Sequence, residues 1–464
     1  MSSRLRSRLV WHGASAPVAE RAFALTEGAA APPPEKPDFD VPAAPRESAI
    51  ELLHIGAEVE HALMAQYLYA GYSLNENQPD EQKRNFVRNW KAKTLEIARE
   101  EMGHLATVQN VLTVIGGSLC FEREDYPIQD DELWPFPFQL EPLTKISLGK
   151  YVLAEMPSEE VVTKLHLHED IEEIKRRVHC GANVNVHRVG LIYDALIQLF
   201  TAGPIIQGPD VPGITDPHPF IATVDIQDSS LKFQVNPSAW GLGYKDILIE
   251  VAHDRPSAID AITAIAVQGE GSTVEADLTK SHFGKFLSIY REFPEEGEWR
   301  PARDIATNPT TNPRVHDPSR RLHGDACEWA GLCNMRYRML LMYLKHSFYI
   351  EAPADFPSQS PRGALVSWAF GEMYNIRSLS EILMNLPMSP GNHTMAGPPF
   401  EMPYSLALPA RNADRWRTHR DLLNTSIMLI DRMLKPGQPQ ERYLRSLRAS
   451  DQTALEQVTA LIGA

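Results

Sequence analysis

A carboxylate and an imidazole three residues apart, Glu101 and His104, lie on the apolar stripe of a long predicted helix. From Phe86 to Ile115 apolar residues fall at 86, 90, 97/98, 105, 108, 112 and 115, with Thr94 in the gap, which is the 3.6-residue period of a core-facing helix. Glu96, Glu100 and Thr107 fall off that stripe. Residues three apart sit nearly above one another on a helix, so Glu101 and His104 point together into the core and can grip one ion. A carboxylate buried in an apolar core is costly unless it is paired, protonated or metal-bound. Glu101 is then expected to be met by a metal, by a plain Glu-His pair, or by water at a boundary position that both groups reach.

The preceding helix has the same peculiarity. Residues 49 to 72 place Leu53, Ala57, Met64, Tyr67 and Leu68 on one face with Glu60 in its middle, while Glu58 turns away. The link from Asn75 to Lys83 is short and polar and contains Pro79. Two helices joined this way are expected to pack antiparallel, with Glu60 opposite Glu101 and His104. One Glu from one helix and a Glu-x-x-His from the next make half of the carboxylate metal site found in helical bundles. Such oxygen and nitrogen ligands suit iron or manganese more than thiolate-bound zinc or copper.

Composition bounds the partners. A length of 464 residues allows a large core and one big or two ordinary domains, and 43% hydrophobic with 23% charged residues describes a soluble globular chain. The formal net charge of -15 argues against nucleic acid or an anionic membrane surface, since no basic excess is present to meet phosphates. Cys120, Cys180, Cys327 and Cys333 show no Cys-x-x-Cys spacing, which fits a reduced chain and a cytoplasmic location. No stretch approaches the ~20 apolar residues needed to cross a bilayer. Residues 1–47, with Pro32, Pro33, Pro34, Pro37, Pro42 and Pro45, are expected to form a flexible extension. Arg4, Arg6 and Arg8 hint at a targeting leader, but Glu20, Glu27 and the lack of a long apolar run weigh against it.

Beyond the Glu101 helix, Gly116-Gly117 marks a stop and residues 120 to 147 suggest an aromatic, proline-rich loop with Trp134, Phe136 and Phe138. Helices are expected at 147–154 and 158–177, with His166 and His168 on the surface, and a third bundle helix from Val184 to Phe200. Residues 220–226 and 231–235 suggest a small hairpin around Asp228-Ser-Ser230. A fourth helix, from about Pro256 to Gly269, carries Ile259, Ile262 and Ala266 on one face with Glu270 at its end. Arg300 to Pro318 has the composition of a linker. Four more amphipathic helices are expected at about 324–350, 362–386, 412–434 and 439–461, packed on the bundle and covering the site. Glu372 and Glu381 fall near opposite faces of their helix and make no second ligand set.

The run Glu58-Val-Glu-His-Ala-Leu-Met-Ala-Gln-Tyr-Leu-Tyr-Ala70, followed by Ala98-Arg-Glu-Glu-Met-Gly-His-Leu105, resembles the ferritin-like domain of the iminophenyl-pyruvate dimer synthases of violacein and rebeccamycin biosynthesis. Glu155-Met-Pro157, Ala261 to Gly271, Ser281 to Phe286 and Ala396 to Glu401 fit the same family in the same order, so the resemblance covers about residues 48 to 435. It implies a mainly α fold: a ferritin-like four-helix bundle with long insertions at 48–300, then a C-terminal helical region at 301–464. A standard fourth helix would carry His three residues after its Glu. Here Glu270 is followed by His282 twelve residues on, so residues 271 to 281 are expected to loop out and return both to one site. A glycine-flanked Glu at a helix end is otherwise a capping residue.

With that resemblance the expected metal ligands are Glu60, Glu101, His104, Glu270 and His282, holding iron in a mono- or dinuclear site, with manganese as the alternative ion. The family usually places an acidic residue after the glycine corresponding to Gly190, but this chain has Leu191, which puts a symmetric pair in doubt. Tyr67, Asp194 and His187 are the candidates for supporting roles around the metal. The implied function is an iron-dependent oxidase or oxygenase of secondary metabolism that uses dioxygen on an amino-acid-derived small molecule, with oxidative coupling of imines as one form. A metal-binding or vestigial scaffold without redox turnover is the alternative, and a homo-oligomer stays open.

Overall fold

The computed structural model describes residues 10–11, 39–40, 44–128, 136–179, 189–201, 221–236, 247–270, 277–351 and 360–462. Most of the expected N-terminal extension, together with Trp134, Cys180, His187 and the first part of the 271–281 loop, lies outside them. The described residues are mainly helical, apart from a two-residue antiparallel pairing of β1 (Val10–Trp11) with β2 (Phe39–Asp40).

Two long helices form the spine. α1 (Pro45–Ser73) starts on Pro45, whose missing amide hydrogen costs nothing in a first helical turn. α2 (Glu81–Val114) is capped by Asp80, whose side chain accepts from the Gln82 amide, and it ends where Gly116 takes φ +68°. They pack along one another, as their short link requires. Every residue from Ile55 to Tyr67 and from Glu100 to Leu112 is buried. Each helix is therefore enclosed on all sides near its middle. This differs from the one-sided stripe expected of α2, and it is why Glu100 is 3% exposed although it lies off the apolar face.

Shorter helices enclose that spine: α3 (Lys145–Ala154), α4 (Glu159–Lys164), α5 (His168–Arg177), α6 (Gly190–Phe200), α7 (Arg255–Glu270) and α8 (His282–Glu292). A Thr144/Ser147 capping box starts α3, and the Ser281 hydroxyl accepts from the Gly284 amide at the start of α8. The expected single helix at 158–177 is broken at 165–167, where His166 adopts φ 55°, and His166 and His168 are exposed. The expected hairpin is absent. Thr223–Asp225 and Asp228–Phe233 form 3-10 turns instead, and the paired extended backbone that alternation alone suggested does not form. The third helix is described from Gly190 onward, so its expected start at Val184 lies outside the described residues.

The C-terminal half supplies α9 (Asp325–Ser347), α10 (Pro361–Leu383), α11 (Asn412–Met433) and α12 (Glu441–Ile462), close to the four expected helices. The stretch expected as a linker is stitched into the body. Asn75 N–H donates to Pro301 O at 2.8 Å, Arg303 N–H to Ser73 O at 2.9 Å and Asn308 N–H to Leu140 O at 2.7 Å. The main core runs from Ala49 to Val458, and a smaller cluster around Trp329, Leu379, Ile430 and Leu444 closes the C-terminal helices. That layer joins α1 where His61 bonds the Tyr337 hydroxyl.

Gly103 shows how tightly α2 is enclosed. A Cβ there would overlap the carbonyl oxygen of Leu248 and press on Ile247, and backbone yields less readily than a side chain tip. Alanine ordinarily favours a helix over glycine by ~1 kcal/mol. Gly103→Ala is nevertheless expected to destabilise by about 1–3 kcal/mol, seen as a lower melting temperature, because the overlap outweighs propensity.

Candidate metal centre

α1 contributes Glu60, α2 contributes Glu101 and His104, and the first residue of α8 is His282; each is at most 2% exposed. The two oxygens of Glu101 divide between the two histidines. Oε2 lies 2.9 Å from His104 Nδ1, and Oε1 lies 3.0 Å from His282 Nδ1. Glu60 Oε2 is 3.3 Å from His104 Nδ1, and Glu155 Oε2 is 3.8 Å from His282 Nδ1. The imidazoles are stacked with ring centres 5.2 Å apart. Two matched half-sites result, each with one Nδ1, one oxygen of Glu101 and one oxygen of a further carboxylate.

Two tyrosines hold the outer carboxylates. The Tyr67 hydroxyl donates to Glu155 Oε1 at 2.6 Å, and the Tyr193 hydroxyl donates to Glu60 Oε1. In each case the bonded oxygen is the one turned away from the histidine. Glu270 sits at the end of α7 and lines the same cavity as Glu60, Glu101, His104 and Glu155, but its Oε1 accepts from the Gly190 amide at 2.5 Å. A Cβ at position 190 would overlap the Glu270 carboxylate, so glycine is what allows the first turn of α6 to seat it.

Of the five residues expected to bind metal, four converge within ion-pair distance and Glu270 joins them as a wall of the cavity. Glu101, His104 and His282 present ligand atoms all within 4.8 Å of one another. Tyr67 lies beside the centre through Glu155. Asp194 is half-buried and does not line the cavity; its neighbour Tyr193 is the α6 side chain that reaches in. Glu155, Tyr193, Glu100 and Gln268 were missed as site residues. Glu155 was visible in Glu155-Met-Pro157, and it brings a further carboxylate from the C-terminus of α3 to His282. The residues lining the cavity come from positions 60 to 270.

Electrostatics matches the geometry. Burial, with Glu101 beside it, pushes the Glu60 carboxyl up to about 7. Burial disfavours the charged form of His104, yet Glu101 and Glu60 outweigh it and hold the ring's pKa up at about 10. At His282 burial is likewise overcome, by Glu101, Glu100 and Glu155, and its pKa is raised well above the usual histidine range. Glu101 Oε1 and both ring nitrogens of His282 are buried and close to charged neighbours, yet none makes an aligned hydrogen bond. Buried polar atoms at contact distance without aligned protons between them are what a cation would satisfy. The donor set of carboxylate oxygens and imidazole nitrogens fits a first-row divalent ion.

A family model described as Ferritin-like matches residues 53–291. The chain is 26% identical over 393 residues to dichlorochromopyrrolate synthase of Lentzea aerocolonigenes, a similarity that supports the dimer-synthase resemblance. That alignment takes in 78% of this chain and 36% of the relative, so the chain spans about a third of the relative's length. A solved ferritin-like protein from Caulobacter vibrioides aligns with 73% of this chain and 97% of its own, at 15% identity and a TM-score of 0.39. No helix among the described residues is long and apolar enough to cross a membrane.

Proposed function

Because the chain belongs to the ferritin-like family, we propose that its Glu/His centre holds iron and that the protein is an oxidative enzyme of secondary metabolism acting on an amino-acid-derived small molecule. The observation that carries this reading is the pair of half-sites bridged by the two oxygens of Glu101. Glu60, Glu101, Glu155, His104 and His282 would hold the metal, with Glu270 at the cavity wall and manganese as the alternative ion. Bound iron would supply one-electron chemistry toward dioxygen.

The chain's own residues prepare that site. Burial of the cluster excludes bulk water and strengthens each charge contact. The Tyr193 and Tyr67 hydroxyls fix the outer oxygens of Glu60 and Glu155 and leave the inner ones turned to the histidines. Tyr67 is the group placed to exchange a proton with Glu155. Oxidative coupling of imines is the reaction that the dimer-synthase resemblance suggests, in keeping with the similarity to dichlorochromopyrrolate synthase.

Dioxygen uptake tests this reading. Protein reconstituted with Fe(II) is expected to consume dioxygen faster than Fe(II) in buffer, and faster still with the imines formed by oxidising aromatic amino acids. Uptake equal to that of free Fe(II), with iron bound, would show a metal-holding scaffold instead.

A further inference from the structure

Behind the two histidines, on the side away from the carboxylate bridge, a single polar circuit touches both rings. Glu100 Oε2 lies 3.2 Å from His282 Nε2. Gln268 Nε2 donates to Glu100 Oε1 at 3.2 Å, and Gln268 Oε1 lies 2.9 Å from His104 Nε2. Lys285 Nζ lies 2.8 Å from one oxygen of Glu100 and 2.9 Å from the other, and it also donates to Glu96 at 3.0 Å. Glu100 is 3% exposed, with His282 and Lys285 set against its oxygens.

The chemistry of these groups sets the direction of each contact. Lys285 donates to both oxygens of Glu100, so the carboxylate faces its neighbours as an acceptor and the end of Gln268 that meets it must be the NH2. Its carbonyl oxygen then faces His104, and an oxygen facing a ring nitrogen requires N–H there. His104 therefore holds a proton on Nε2, and Nδ1 is the nitrogen whose proton a metal would displace. At His282 a ring lone pair set 3.2 Å from a carboxylate oxygen would be repelled, so Nε2 carries the proton there as well. Lys285 sets its ammonium against both oxygens of Glu100.

We propose that Glu100, oriented by Lys285 and extended by Gln268, is the positioning residue that fixes both histidines in the tautomer whose Nδ1 binds the metal. This rests on the metal-centre reading above. Partners on the far side of ligating histidines commonly set tautomer and ring orientation, and their loss lowers metal affinity by roughly 10- to 100-fold. Here one carboxylate serves both rings, so its replacement propagates. In Glu100→Gln one end of the new amide donates. If its oxygen stays on His282, its NH2 meets Gln268, which must turn over and present its own NH2 to His104. The proton of His104 is thereby driven onto Nδ1, and the ligand atom is blocked.

Co(II) is the probe, titrated into metal-free protein with its visible absorption recorded. Wild type is expected to bind and to give a defined ligand-field spectrum. Glu100→Gln should bind roughly 10- to 100-fold more weakly with an altered spectrum. Gln268→Leu should weaken binding on its own, and the double variant should lose less than the product of the two single losses, since both act through one circuit. Wild-type affinity and spectrum in Glu100→Gln would overturn the assignment while leaving the metal centre standing. Strictly multiplicative losses would overturn the shared circuit. If wild type binds no Co(II), the metal-centre reading fails and this inference falls with it.

Discussion

Glu101→Ala is expected to abolish metal binding by more than the roughly 100-fold loss typical of outer partners, because both half-sites lose their shared ligand at once. The metal-free protein should suffer too. His104 and His282 are raised in pKa largely because Glu101 faces them, and its removal leaves two imidazoles buried among the remaining carboxylates. Removing one member of a buried charge pair costs about 3–5 kcal/mol, so a clear drop in melting temperature should accompany the lost affinity. Isothermal titration with Fe(II) under nitrogen and a thermal melt of the same sample read the two effects separately. Full stability with lost metal would mean that Glu101 acts only as a ligand.

The second large effect lies in the C-terminal layer. Arg336 is fully buried on α9 and pairs with Asp451 at 2.6 Å and Glu372 at 3.2 Å, while the Ser426 hydroxyl donates to Asp451 at 2.8 Å. Arg336→Met keeps most of the volume but leaves two carboxylates buried without their cation, a loss of about 3–5 kcal/mol. The deficit should depend on pH with a definite sign. Burial already holds the Glu372 carboxyl above its usual range against the pull of Arg336, and removing Arg336 raises it further. A carboxyl whose pKa is raised on folding takes up a proton in the folded state, so its penalty shrinks as pH falls toward 4.5. Melting temperatures of Arg336→Met and wild type should therefore differ more at pH 8 than at pH 5. A difference independent of pH would assign the loss to packing.

Much of the centre was legible because helical spacing alone brings Glu101 and His104 together, and a short link between two amphipathic helices forces Glu60 toward them. The twelve-residue displacement of His282 from Glu270 could be read only with the family resemblance, since an imidazole at the first position of a helix has no local signature. Glu100 escaped notice for a physical reason. A hydrophobic stripe reports one buried face, whereas α2 is enclosed by α1, α7 and α8 together, so a residue off the stripe is buried as well. Glu155 sits at a helix end outside the spine, and only tertiary packing carries it to His282. Tyr193 looks in sequence like any core aromatic, and its hydroxyl gains meaning only beside Glu60.

The most direct test of the metal centre is elemental analysis of iron and manganese per chain after anaerobic reconstitution, on wild type beside Glu101→Ala and His282→Ala. Stoichiometric metal in wild type, lost in both variants, is the predicted result. A wild type that remains empty, or variants that retain the metal, would contradict it and leave the buried carboxylates and histidines as a structural network.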